Sequence, residues 1–318
     1  ITGPTWEDEN RSIGKTLMEM GEGGIDDDGM VVPDHSYLAA YCSDSSATIT
    51  FYPVWRGEEV MPQGQYKLSG YLRAKNIDKI ELFSVEGELE TAVEEEGGAT
   101  GNSYKPIEVI SEKLPKNSAR LYELVIEQTF TVADNSWSSS INMELAQVWR
   151  CPLEGTPLYE KIIRWGSSWL DGSYSDEGED SENIVADKLL KEMKNLEKLG
   201  YRYGPFPRPK ESRDRAEVFL DFKQSACGEF RGFYMALVET QGVDANWLFF
   251  WYNNPSSENY SMYETIDLPA VGRESKVWRY SNHIVVEVNG RVYDPTYLLI
   301  KDDAISYEDY IFARYCYG

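Results

Sequence analysis

Asn282-His283-Ile284-Val285-Val286-Glu287-Val288-Asn289-Gly290-Arg291-Val292-Tyr293-Asp294-Pro295-Thr296 reads as a β-hairpin that ends in a turn. An Asn-Gly pair between apolar runs is the strongest short hairpin signal, because a two-residue turn needs positive φ at both positions. With Asn289 and Gly290 in the turn, Val288 faces Arg291 and Val285 faces Asp294. His283 is two residues from Val285, so it shares a face with Asp294 as a diagonal neighbour. Such neighbours lie about 7–8 Å apart at the backbone, within reach of an imidazole and a carboxylate. Asp294 can then accept from one ring nitrogen and leave the other for a thiol. Pro295 ends regular pairing, as at a strand end that opens on a cleft. The plainer alternative is a surface histidine followed by an Asp-Pro turn opener, with Glu287 competing as its partner on the same strand.

The thiol is found upstream, in Gln224-Ser225-Ala226-Cys227-Gly228-Glu229-Phe230. From Cys227 onward, Phe230, Phe233, Tyr234, Leu237 and Val238 recur at three- and four-residue steps, which predicts an amphipathic helix closed by Gly242. Cys227 falls in its first turn, where the dipole and unpaired amides favour an anion. That is one of the environments in which a cysteine becomes a nucleophile. Taken alone, such a cysteine is more often a small apolar filler. Joined to one of only two histidines and to an aspartate in register with it, the set meets the nucleophile, base and orienter requirement of covalent catalysis.

These residues resemble the core of the transglutaminase-like superfamily of thiol enzymes. Cys227 opens a helix, His283 heads a strand, and Val292-Tyr293-Asp294-Pro295-Thr296 is the most specific part of the likeness. Gly242-Val243-Asp244-Ala245 is similar to that family's helix-to-strand step. The resemblance spans residues 183–300 or so and implies a papain-like α+β core, with Cys227 as nucleophile, His283 as general base and Asp294 as orienter. Two features depart from the pattern. Asn253 to Lys276 reads as a long polar loop, a lid or a substrate-specific insertion, and no side chain must complete an oxyanion hole. Gln224 is the candidate there, against the plainer reading of a solvated residue before a helix.

Further from the site, the first half of the chain has a different character. Period-two alternation in Ala47–Phe51, Tyr66–Leu68, Ile80–Leu82 and Ile141–Leu145, with turn signals between, predicts antiparallel strands. Leu121–Ile126 is nearly all apolar, as a more central strand would be. The expected architecture is α+β: an all-β sandwich-like domain over residues 1–152, then a transglutaminase-like domain over 153–318. The stretch through Asp34 reads as irregular. In the second half Pro157 opens a helix with Leu158, Ile162, Trp165 and Trp169 on one side. Asp171–Asn183, with six acids and no base, reads as a solvated loop, and Asn183–Leu199 as a second helix stopped by Gly200. Tyr203–Pro209 is an extended connector, and Trp247–Tyr252 a buried strand.

Composition narrows the partners. Thirty-one Lys and Arg against 54 Asp and Glu leave a net charge of −23, which repels phosphate backbones and anionic membrane surfaces alike. No apolar run approaches the roughly 20 residues of a membrane span. The chain begins at Ile1, so a processed secretion signal fits, and with its Tyr, Trp, Ser and Asn content the expectation is a secreted or cell-surface protein. Four scattered cysteines include no C-x-x-C pair, and one disulfide among Cys42, Cys151 and Cys316 is open. No cofactor or metal is expected: Asp171-Gly-Ser-Tyr-Ser-Asp with Glu182 approximates a calcium loop, but Asp176 stands where glycine is required. Asp26 to Gly29 is too short to argue, and His35 has no acidic or thiol neighbour in a recognisable spacing. The expected activity is thiol-dependent hydrolysis of an amide, with a protein, peptide or glycopeptide substrate. A non-catalytic cell-surface binding or scaffold protein of the same fold is the alternative.

Overall fold

The computed structural model describes residues 38–51, 63–90, 104–132, 135–175, 178–205, 213–251, 261–280 and 282–317. The fold is mixed α+β and mostly strands. It divides into two compact units, residues 1–151 with 171–173, and residues 152–170 with 174–318.

The first unit holds β1 (Leu38–Cys42), β2 (Ser46–Phe51), β3 (Gly64–Ala74), β4 (Ile77–Leu89), β5 (Ile107–Lys113), β6 (Ser118–Val132) and β7 (Asn135–Val148). Its main sheet runs β1-β7-β6-β3-β4, with β1 parallel to β7 and the other neighbours antiparallel. The apolar run Leu121–Ile126 lies in β6, an interior strand between β7 and β3, where Tyr122, Leu124 and Ile126 join the core and Val125 on the other face is buried too. β2 and β5 pair separately. Ala47, Ile49, Phe51 and Val109 from that pair join Leu68, Leu72, Leu82, Leu124 and Leu145 of the main sheet in one buried cluster. Burying each large side chain contributes about 1.5–3 kcal/mol. Of the three cysteines for which a bridge was open, Cys42 and Cys151 form one, with an S–S distance of 2.01 Å.

Between the two units' segments, α1 (Glu160–Leu170) belongs to the second unit and β8 (Gly172–Ser173), which pairs with β6, to the first. The second unit continues with α2 (Gly178–Glu192), α3 (Asn195–Lys198), β9 (Arg202–Tyr203), α4 (Arg215–Asp221), β10 (Gln224–Ser225), α5 (Cys227–Glu239) and β11 (Asn246–Trp251). It ends with β12 (Ser261–Ala270), β13 (Arg273–Tyr280), β14 (Asn282–Val288), β15 (Arg291–Asp294), β16 (Leu299–Lys301), α6 (Ala304–Ile311) and β17 (Phe312–Tyr317). Helix α5 is the hub: Phe230, Phe233, Tyr234, Leu237 and Val238 have no exposed surface, and it packs on α4 and β14. The sheet β11-β14-β15-β16 is antiparallel, and β12 lies between β13 and β17 in a second one.

Several local expectations need correction. Helix α1 starts at Glu160 and buries Ile162, Ile163, Gly166, Ser167 and Leu170, while Trp165 and Trp169 stack on each other at 5.7 Å beside that face. The acidic stretch read as a loop is helical from Gly178, because acids in a first helical turn suit the dipole. The helix read as continuous to Leu199 breaks after Glu192 and resumes as α3, with Gly200 at φ 84° closing it. The run at Trp247 is a strand but not a buried one: β11 is a sheet edge, with Trp247 53% and Phe249 43% exposed. From Ser261 to Lys276 the supposed loop is two paired strands. Asp26–Gly29, His35 and Asp176 lie outside the described residues.

Candidate active site

The hairpin adopts the predicted register: Val288 pairs with Arg291, Glu287 with Val292 and Val286 with Tyr293, around Asn289 and Gly290 at φ 48° and 79°. His283 and Asp294 are both fully buried, and Nε2 of the ring meets Oδ2 of the carboxylate at 2.9 Å. Asp294, not Glu287, is therefore the ring's partner. Its second oxygen, Oδ1, accepts from the backbone amides of Thr296 at 2.9 Å and Tyr297 at 3.3 Å. The two readings of Asp294 thus coexist: one oxygen ties the Asp-Pro turn and the other orients the imidazole.

Cys227 is the first residue of α5 and is half-buried. Two short parallel strands deliver it there: β9 and β10 pair in register, and the Gly204 amide donates to the Ser225 carbonyl at 3.0 Å. Ala226 precedes the helix in extended conformation and offers no side-chain cap. Glu229 substitutes in part, its Oε2 accepting from the Ala226 amide at 3.2 Å while Oε1 pairs with Arg215. A fully buried glutamate is costly unless paired, and here both oxygens are used to fix the start of α5.

The thiol lies close enough to the ring to act on its charge, while Nδ1 of His283 has no hydrogen-bond partner. Contacts of this kind are often loose without substrate and tighten when it binds. Burial opposes charging of the imidazole, but the Asp294 charge, the Asp294 hydrogen bond and the Cys227 contact outweigh it, and the ring's pKa is pushed up to about 10.

Aromatic rings hold the imidazole in place. Tyr280 and Tyr297 stand 5.0 and 5.4 Å from it, and Tyr203 lies 6.0 Å from Tyr297. Burial first, then the nearby Cys227 and Asp294 charges, push the Tyr203 hydroxyl well above its usual pKa, so it stays a neutral donor. Gln224 is on β10, with Oε1 accepting from Arg273 Nη2 at 3.3 Å and Nε2 donating to the Pro205 carbonyl. One of its two amide protons is therefore engaged away from the thiol.

Sequence reasoning missed Tyr203, Tyr280, Tyr297, Tyr307, Glu229 and Arg273. Only Glu229 had a local signal, a glutamate three positions after a helix-preceding residue. Among the described residues no group of three His, Cys, Asp or Glu is placed to hold a metal, and no helix is long and apolar enough to cross a membrane.

Compared with known proteins, the chain matches no family model and no curated protein.

Proposed function

We propose that this chain is a thiol-dependent amide hydrolase, a cysteine peptidase, in which a transglutaminase-like α+β domain follows a β-sandwich-like domain. The carrying observation is the fully buried His283–Asp294 pair at 2.9 Å, whose ring also senses the Cys227 thiol. The thiol proton passes to the ring, and the thiolate attacks the substrate carbonyl. Unpaired amides in the first turn of α5 are suited to receive the oxyanion. The imidazolium then gives its proton to the leaving amine, and an acyl-enzyme remains. Water, deprotonated by the ring, attacks the acyl carbon, releases the acid and restores the thiol. Asp294 keeps the ring oriented throughout.

Protein, peptide or glycopeptide substrates fit this reading better than crosslinking, since the likeness to transglutaminases covers the catalytic core alone. The Cys42–Cys151 bridge supports a secreted or cell-surface location, because such bonds persist where the surroundings are oxidising. Intact-mass analysis after iodoacetamide tests the reading. Cys227 should be alkylated faster at neutral pH than glutathione, and Cys227→Ala should abolish labelling by an acyloxymethyl ketone probe. A thiol no more reactive than glutathione sinks it.

A further inference from the structure

Arg273 is held beside this machinery by two hydrogen bonds. Its Nε donates to the Tyr203 carbonyl at 2.7 Å and its Nη2 to Gln224 Oε1 at 3.3 Å. Tyr203 senses the Cys227 charge, and Gln224 is in the two-residue strand that runs into Cys227. Both acceptors are neutral. A guanidinium has five N–H donors, so three remain. Among the described residues no carboxylate pairs with Arg273, nor with Lys276 on the same strand.

The chain carries 23 more acids than bases, and several arginines of the same unit are matched: Arg164 to Glu160, Arg213 to Glu217 and Asp221, Arg215 to Glu229, Arg279 to Glu264, Arg291 to Asp187. Arg202 and Arg231 also lack a carboxylate partner among the described residues, but Arg273 is the one whose donors hold Tyr203 and Gln224. The backbone also makes room for the group. Gly204, at φ 156°, would bring a Cβ to 2.9 Å from Arg273 Nη2 and 3.4 Å from Gln224 Nε2, so any larger residue would push the guanidinium from its seat. Lys276 adds a second positive charge on β13: its ammonium sits 4.0 Å over Trp278, whose ring is 5.1 Å from Tyr203.

We propose that Arg273 receives a carboxylate of the substrate, so that the enzyme selects amides with an acidic group close to the scissile bond. This rests on the thiol-hydrolase reading and narrows its substrate class. A half-buried guanidinium with free donors suits bidentate binding of a carboxylate. The carboxylate could belong to an acidic side chain or to a peptide C-terminus.

The test measures alkylation of Cys227 by two matched pairs of reagents, iodoacetate against iodoacetamide and N-(2-carboxyethyl)maleimide against N-ethylmaleimide. Each anionic-to-neutral rate ratio is normalised to that of glutathione at low salt. The wild-type ratio should exceed one by about two- to fivefold, the gain a partly exposed ion pair supplies, despite the protein's overall negative charge. Arg273→Gln should return the ratio to one or below, Arg273→Lys should keep part of it, and Lys188→Gln, an equal charge loss elsewhere, should leave it intact. Neutral-reagent rates above glutathione with a ratio of one or less in the wild type overturn the carboxylate site while sparing the thiol hydrolase. So does a preference that survives Arg273→Gln. Slow reaction with both neutral reagents instead overturns the underlying reading. Protection from iodoacetamide by N-acetylglutamate α-amide, N-acetylglutamine or both tells a side-chain carboxylate from a terminal one, with N-acetylglutamine amide as the neutral control. Protection by neither acid overturns the proposal.

Discussion

Tyr307 Oη donates to Asp294 Oδ2 at 2.5 Å, on the same oxygen that bonds His283 Nε2 at 2.9 Å. With the Thr296 and Tyr297 amides on Oδ1, the buried carboxylate has four donors. Helix α6, well beyond the hairpin in sequence, thereby becomes part of the site. Hydrogen bonds to buried charged groups contribute about 1.5–3 kcal/mol each. Tyr307→Phe should lower stability by that amount, a fall in melting temperature of about 2–4 °C for each kcal/mol in a unit of this size. Tyr310→Phe, on an exposed residue of the same helix, should change stability by less than about 0.5 kcal/mol. Equal effects in thermal unfolding followed by fluorescence would remove Tyr307 from the site.

The His283 ring gives a pH signature. Its pKa in the fold, about 10, is above the ordinary 6.5 because the Asp294 and Cys227 contributions outweigh burial. A raised folded-state pKa stabilises fully below the unfolded value, and the benefit is lost as pH rises toward the folded one. The stability difference between wild type and Asp294→Asn should therefore shrink from pH 6.5 to 10. In the variant burial is opposed by the Cys227 contact alone, so the ring's pKa falls. Amide hydrolysis should fall about 10²–10⁴-fold, the usual worth of positioned acid–base catalysis. Denaturation midpoints for the two proteins at several pH values check the first part, and parallel profiles would contradict it.

The hairpin and the nucleophilic helix could be read from the chain because both are local. Asn289-Gly290 sets register without outside help, and the spacing of Phe230, Phe233, Tyr234 and Leu237 defines α5 without reference to a partner. What surrounds them could not be read. Tyr203, Tyr280 and Tyr307 come from β9, β13 and α6, and nothing in their own neighbourhoods says that they gather around the His283–Asp294 pair. Polar residues such as Glu264, Asp267, Arg273, Glu274, Ser275 and Lys276 made β12 and β13 look like loop. Asp267, Glu274, Ser275 and Lys276 are solvated and Glu264 and Arg273 half-buried, while Thr265, Leu268 and Ala270 are buried, a pattern the β12 bulges obscure. For β11 the opposite holds: an aromatic run looks buried, yet this edge strand shows Trp247 and Phe249 to water.

The Cys42–Cys151 bridge closes a loop with a sequence separation of 109. For loops near 100 residues the chain-entropy model gives about 4.7 kcal/mol, with measured losses of native bridges at about 2–5 kcal/mol. Cys42→Ser with Cys151→Ser, in a Cys227→Ala background that prevents thiol exchange, should cost the first unit an amount in that range. Hydrogen exchange of β6 and β7 peptides reads it, as protection lost there. Unchanged exchange would mean that the first unit's stability does not depend on the bridge.

Glu229 connects the fold to the reactivity of the thiol. Its side chain accepts from the Ala226 amide, and its partner Arg215 comes from the first turn of α4. Arg215 is 42% exposed, so it can rehydrate when the glutamate is removed. Glu229→Ala should then cost about 1–3 kcal/mol, the penalty for losing a buried hydrogen-bonded group, and not the larger figure for stranding a buried charge. Loosening the first turn weakens the dipole and amide support around Cys227, so iodoacetamide should react several-fold more slowly. Glu229→Gln keeps an acceptor for the Ala226 amide and loses the ion pair, so its rate should fall between the two. If the alanine variant frays α5 by hydrogen exchange but alkylates at the wild-type rate, the helix start is not what activates the thiol, and the His283 contact alone must account for it.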